Sequence, residues 1–229
     1  MWRVPEQMFG DLASLCLYDT LLLVDDSACM AGALWQECIG IAQKLISLST
    51  AFDDDGIEMM FFNSSVQGFS ISTPSAATKL LHDVTPGHAS TSIAQALYNR
   101  VSTLVLKILQ TKKTLDKPIL VYIITSGAAN AAYDGQHLAA VISGLQQMMR
   151  DFKLPHECIS FQLLQVAQDP LASHTFAQLD AQFANVVDTT GPYWQQQQAC
   201  ARKGVNLTPE LYIIKSLLGA IDPMYDNLD

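Results

Sequence analysis

The stretch Leu17-Tyr-Asp-Thr-Leu-Leu-Leu-Val-Asp-Asp-Ser-Ala-Cys-Met-Ala-Gly32 decides the fold. The apolar run Leu21 to Val24 ends abruptly in Asp25, Asp26 and Ser27. A continuous apolar run closed by short polar residues reads as a buried parallel strand. Such a strand, about Asp19 to Val24, delivers a carboxylate and a hydroxyl to its carboxyl end, where open α/β sheets bind ligands.

Outward from that strand, Leu34, Cys38, Ile41, Leu45 and Leu48 recur at spacings of three and four, one face of a helix closing near Phe52. Ile57 to Phe62 reads as a second strand. Phe69 to Ile71 reads as a short antiparallel strand at the sheet edge. Thr73-Pro74 opens a short helix. Thr91 or Ser92 caps the next one, whose apolar face is Ile93, Leu97, Val101, Leu104 and Ile108. Pro118 to Ile124 is the most apolar strand. A loop through Asn130 and Asp134 then leads to a helix ending near Phe152. Ile159 to Val166, Leu171 to Phe183, Val186 to Asp188 and Pro209 to Ile221 read as strand, helix, strand and helix, with Gln195 to Gln198 a polar linker or helix edge. This alternation predicts an α/β, Rossmann-like doubly wound fold: a mostly parallel sheet of about six strands, one antiparallel at the edge, with helices on both faces.

The chain has 229 residues, 49% of them hydrophobic, enough for one sizeable core. Its formal net charge of -9 argues against nucleic acid and anionic membrane as partners. No run approaches a membrane span, and the N-terminal residues lack a signal-peptide pattern. A cytoplasmic protein is expected, with unconventional secretion left open. Cys16, Cys29, Cys38, Cys158 and Cys200 lack metal-ligand spacing and read as free thiols. Asn63 and Asn206 head sequons that matter only after secretion.

Three loops carry a resemblance. Asp25, Ser27 and Cys29 end the first strand, Thr91 opens a helix after Pro-Gly-His-Ala-Ser, and Ser126 follows the most apolar strand in Ile-Ile-Thr-Ser-Gly. In that order they resemble the loops of a von Willebrand factor type A domain. Asp55-Gly56-Ile57, Phe61-Phe62-Asn63, Phe161 to Val166, Asp169-Pro170, Leu179-Asp180 and Val186 to Thr189 resemble its stand-alone fungal form. The resemblance covers about residues 16 to 222. It implies one such domain over 17–222, an N-terminal arm over 1–16 and a C-terminal tail over 223–229.

The resemblance also implies a metal-ion-dependent adhesion site, with Mg²⁺ (or Ca²⁺ or Mn²⁺) at Asp25, Ser27 and Thr91. Cys29 and Ser126 occupy degraded positions of that site. A thiol replaces a hydroxyl at Cys29, and a hydroxyl replaces a carboxylate at Ser126, so the site is weakened toward a hard cation. Asp134, in the third loop, is a candidate to substitute for the missing carboxylate. Asp26, Cys29, His88 and Ser126 are the expected partner-contacting residues at this edge. The implied function is a non-enzymatic, adhesion-type module binding a protein partner, through an acidic side chain where the metal is held. A lectin-like protein is the second reading, with Trp35, Tyr193 and Trp194 as candidate sugar-facing rings. A hydrolase is the third, although there is no Gly-x-Ser-x-Gly elbow. Two carboxylates and no glycine after the first strand exclude a dinucleotide site.

Overall fold

The computed structural model describes residues 8–52, 55–87, 92–127 and 131–228. The strands are β1 (Asp19–Val24), β2 (Ile57–Phe61), β3 (Gln67–Ile71), β4 (Ile119–Thr125), β5 (Ile159–Gln165) and β6 (Val187–Thr190). They form one sheet in the order β3-β2-β1-β4-β5-β6. Five strands run parallel and β3 pairs antiparallel with β2, as the sequence predicts. The order places β1 and β4 side by side, with Val24 level with Ile124. Chain progression reverses between these strands, and a ligand crevice forms outside such a point.

The helices are α1 (Phe9–Leu12), α2 (Ala33–Phe52), α3 (Pro74–Asp83), α4 (Ile93–Leu97), α5 (Thr103–Lys112), α6 (Ala131–Asp151), α7 (Pro170–Gln182), α8 (Tyr193–Arg202), α9 (Pro209–Leu218) and α10 (Pro223–Asp226). Side chains alternate across each strand, so the sheet has two cores. Leu22, Val24, Tyr122 and Ile124 meet α2, α3 and α9 on one face. Leu21, Leu23, Val121 and Ile123 meet α4 to α7 on the other. The Tyr122 hydroxyl donates to Leu217 O at 2.5 Å and ties β4 to α9. Among the described residues no helix is long and apolar enough to cross a membrane.

Thr73 caps α3 and Ser92 caps α4 through side-chain oxygens, as their residue types predict. One helical reading is corrected. Between α4 and α5 lies a π-helical turn, Tyr98–Ser102. Its wider turn takes up an extra residue, so the buried face continues through Val105 and Leu109 rather than Leu104 and Ile108. Gln195 to Gln198 lies within α8. Asp134 falls in the first turns of α6 rather than in a loop, and its side chain lies outside the described residues.

The described parts of the expected arm and tail, 8–16 and 223–228, pack on the same core. Leu12, Leu15 and Tyr225 are buried in it, and the Tyr225 hydroxyl donates to Asp11 Oδ2 at 2.7 Å.

Candidate functional site

The β1 and β4 ends converge at the carboxyl edge of the sheet. Asp25 N donates to Ile124 O at 2.9 Å and holds the two ends in register. The Asp25 carboxylate is buried and accepts three hydrogen bonds. Ser27 N and Ser27 Oγ donate to Oδ1 at 3.0 and 2.5 Å, and Thr125 Oγ1 donates to Oδ2 at 2.7 Å. Burial raises the Asp25 carboxyl above its ordinary range, against the lowering by these donors.

Proton counting orders the rest of the chain of contacts. Ser27 has one hydroxyl proton, given to Asp25. Its Oγ therefore accepts from Cys29 Sγ, 2.9 Å away. That spends the thiol proton, so Sγ accepts from Ser126 Oγ at 3.1 Å. The relay runs Ser126 to Cys29 to Ser27 to Asp25. Cys29 is its exposed member, while Ser27 and Ser126 are buried.

The described donors do not fit the Mg²⁺ that the resemblance implies. They offer one carboxylate, and the thiol sits between the two hydroxyls a metal would need. Mg²⁺ requires near-octahedral oxygen at about 2.0–2.1 Å, and sulfur is too soft a ligand. The same oxygen preference applies to Ca²⁺ and Mn²⁺. Thr91 and His88 lie outside the described residues. The loop leading to them reaches this edge, where Gly87 N approaches Asp26 O at 3.4 Å.

Asp26, expected to face a partner, is corrected to a structural role. It is 0% exposed, on the opposite side of the strand from Asp25. Its carboxylate accepts from Asn63 N, Asn63 Nδ2 and Ser64 N at 2.8, 2.9 and 2.8 Å. Arg100 Nη2 donates to Ser64 O at 2.8 Å and holds the same β2–β3 turn. Asp26 is a buckle between β1 and that turn.

Trp35 is also corrected as a sugar-facing ring. It is buried against Phe61, with ring centroids 6.4 Å apart. Tyr193 packs edge-on against Tyr212 at 5.3 Å and donates its hydroxyl to Leu207 O. Trp194 alone of the three is exposed.

A second cluster lies at the β6 edge. Asp180 of α7, Asp188 of β6 and Asp226 of α10 place carboxylate oxygens within 4.8 Å of one another. This acidic triad could hold a metal ion. Asp188 is buried, with Gln162 Nε2 donating to Oδ2 at 2.6 Å and Lys215 Nζ 3.6 Å from Oδ1. Thr189 N and Oγ1 donate to Asp180 Oδ2. Burial, then the neighbouring Asp188 and Asp180, push the Asp226 carboxyl up to about 6.

No family model matches the chain, and no curated protein matches it. Solved structures similar to it include that of a conserved hypothetical protein, BatB, from Bacteroides thetaiotaomicron. The identity is 12%, the match covers 81% of this chain and 96% of that chain, and the TM-score is 0.48.

Of the sequence-predicted residues, Asp25, Ser27, Cys29 and Ser126 are brought together. The triad carries no spacing motif, and sequence reading passes over it. Its signals are charges at buried positions: Asp188 in the short strand β6, and Lys215 within the buried run from Tyr212 to Leu218. Two opposite charges buried in neighbouring elements are expected to pair.

Proposed function

We propose that the chain is a non-enzymatic protein-interaction module of the von Willebrand factor A type. Its partner seats on the carboxyl edge around Cys29. The observation that carries this reading is the relay from Ser126 through Cys29 and Ser27 to Asp25, with only the thiol exposed. The surrounding surface is small and accessible: Ala28, Ala31, Gly32 and Ala33 are all exposed. A partner's backbone approaches such a surface closely. The described donors at this edge, one carboxylate and a thiol between two hydroxyls, suit hydrogen bonding better than a hard cation. The partner recognises the edge by shape and hydrogen bonding.

Chemistry at this edge is disfavoured. A nucleophilic thiol needs a base within hydrogen-bond reach, and among the described residues the partners of Cys29 are two hydroxyls. The test compares immobilised wild-type protein with Cys29→Arg, both in EDTA. A protein retained by wild type and lost on the variant supports the reading. Identical retention by both overturns it, as does turnover of a generic ester that disappears in Cys29→Ala.

A further inference from the structure

We propose that Asp180, Asp188 and Asp226, together with the Gln196 amide oxygen, bind a Ca²⁺ ion that ties α10 to β6, α7 and α8. The first observation is the convergence of three carboxylates from three separate elements. Lys215, on the α9 side, offsets one of the three charges. The second observation is independent. Gln196 is 7% exposed and forms part of the same cleft wall as Asp180 and Asp226. Its Oε1 is buried with no hydrogen-bond partner among the described residues. A buried acceptor left unmade is costly, and a cation beside it supplies what the protein does not.

The chemistry selects the ion. Every donor is a hard oxygen, carboxylate or amide, with no imidazole or thiolate in the set. Ca²⁺ bonds oxygen at about 2.3–2.6 Å, so opposite ligands stand roughly 4.6–5.2 Å apart. The triad's oxygens, all within 4.8 Å of one another, fit around an ion of that size. Mg²⁺ demands stricter, near-octahedral geometry and dehydrates reluctantly. The cleft, about 440 Å³, has room for the waters that complete an irregular calcium shell. Asp226 also lines a neighbouring cleft beside Asp222 and Gly219, so it can be approached from two sides.

The site is built into the fold around Asp188. The Gln162 side chain joins Asp188 Oδ2 to the backbone past α9, since Ala220 N donates to Gln162 Oε1 at 3.1 Å. One carboxylate is thereby fixed, and the two more accessible ones, on α7 and α10, close on an ion. Binding makes the position of α10 depend on the cation.

The test uses the full chain, stripped with chelator and then titrated with CaCl₂ by calorimetry and thermal melting. One Ca²⁺ per chain is expected, with a melting rise of about 4 °C at tenfold excess over Kd. Asp226→Asn and Asp180→Asn, near-isosteric and half-buried, lose about tenfold or more in affinity. Asp25→Asn, at the other edge, binds as wild type. Gln196→Ala weakens binding and Gln196→Glu strengthens it. No uptake up to about 10 mM, beyond the weakest ordinary calcium modules, overturns the site. So does uptake unchanged in Asp226→Asn, which places the ion elsewhere. An unchanged affinity in both Gln196 variants removes Gln196 from the ligand set and overturns that part of the proposal.

Discussion

Cys29 Sγ lies 3.1 Å from Ser126 Oγ, a contact between residues 97 positions apart. It joins the loop after β1 to the loop after β4 at the point where the sheet changes direction. Ser27 Oγ is 2.9 Å from the same sulfur, so one thiol links these two hydroxyls. An oxygen-seeking cation would have to displace it. The contacts that sulfur makes at this position are hydrogen bonds.

Placing oxygen ligands at these two positions should create a metal site. In an Asp226→Asn background, which silences the acidic triad, the double variant Cys29→Ser/Ser126→Asp offers two carboxylates and two hydroxyls. Its melting temperature should rise by a few degrees in millimolar Mg²⁺, about the effect of tenfold ligand excess. The Asp226→Asn parent should show no such rise. A Mg²⁺ response in the parent, abolished by Asp25→Ala, would show that sulfur does not block the site.

Asp26→Ala should be among the most destabilising substitutions at this edge. Three donors, Asn63 N, Asn63 Nδ2 and Ser64 N, lose their acceptor. Each unsatisfied buried donor costs about 1–3 kcal/mol, so a loss of about 3 kcal/mol is expected with some water entry. Urea unfolding measures it. A cost under about 1 kcal/mol would mean that the turn relaxes and Asp26 is no buckle.

The β1 and β4 strands are legible because central parallel strands are apolar on both sides, so burial appears as an uninterrupted run. Asp25 and Ser126 are legible because the two apolar runs break off at or just before them, at the carboxyl edge of the sheet. The acidic triad is not, because Asp180 and Asp226 are separated by a strand and two helices, and only tertiary packing brings them together. The α4–α5 face fails in a different way. A helical period read from residue spacing assumes uniform turns, and the π turn at Tyr98–Ser102 breaks that assumption without a proline or glycine to announce it.

That shift can be measured. Leu109 is 0% exposed and belongs to the core, whereas Ile108 is only partly buried. Leu109→Ala should cost about 2–5 kcal/mol, the range for a filled core site, and Ile108→Ala distinctly less. Denaturant unfolding of the two variants decides it, and the reverse order would restore the regular helical face.

Asp226 gives stability a pH dependence of unusual sign for a carboxylate. Its carboxyl is raised from 3.8 to about 6, so between those values the folded chain holds a proton that the unfolded chain has released. The linked stability is present below the lower value and is lost as pH rises through the upper one. In chelator, the melting temperature of wild type relative to Asp226→Asn should fall from about pH 4 to about pH 7. A constant difference across that window would show that Asp226 titrates normally.

Gly219 makes the Asp188 arrangement possible. A Cβ at Gly219 would stand 2.0 Å from Asp188 Oδ2, 2.7 Å from its Cγ and 3.0 Å from Gln162 Oε1. Neither side chain is a free end that can swing away. Asp188 is held by Gln162 and lies beside Lys215, and Gln162 is held by Ala220 N. Gly219→Ala should therefore cost about 1–3 kcal/mol through forced displacement. The two sites touch, so the effects should not add: in an Asp188→Ser background, where the long carboxylate is gone, Gly219→Ala should cost markedly less. Calcium titration gives an independent readout. Moving Asp188 out of line should weaken Ca²⁺ binding in Gly219→Ala by about tenfold, even at a temperature where the variant is fully folded. Equal cost of Gly219→Ala in both backgrounds would locate the strain in the α9 backbone instead of at the carboxylate.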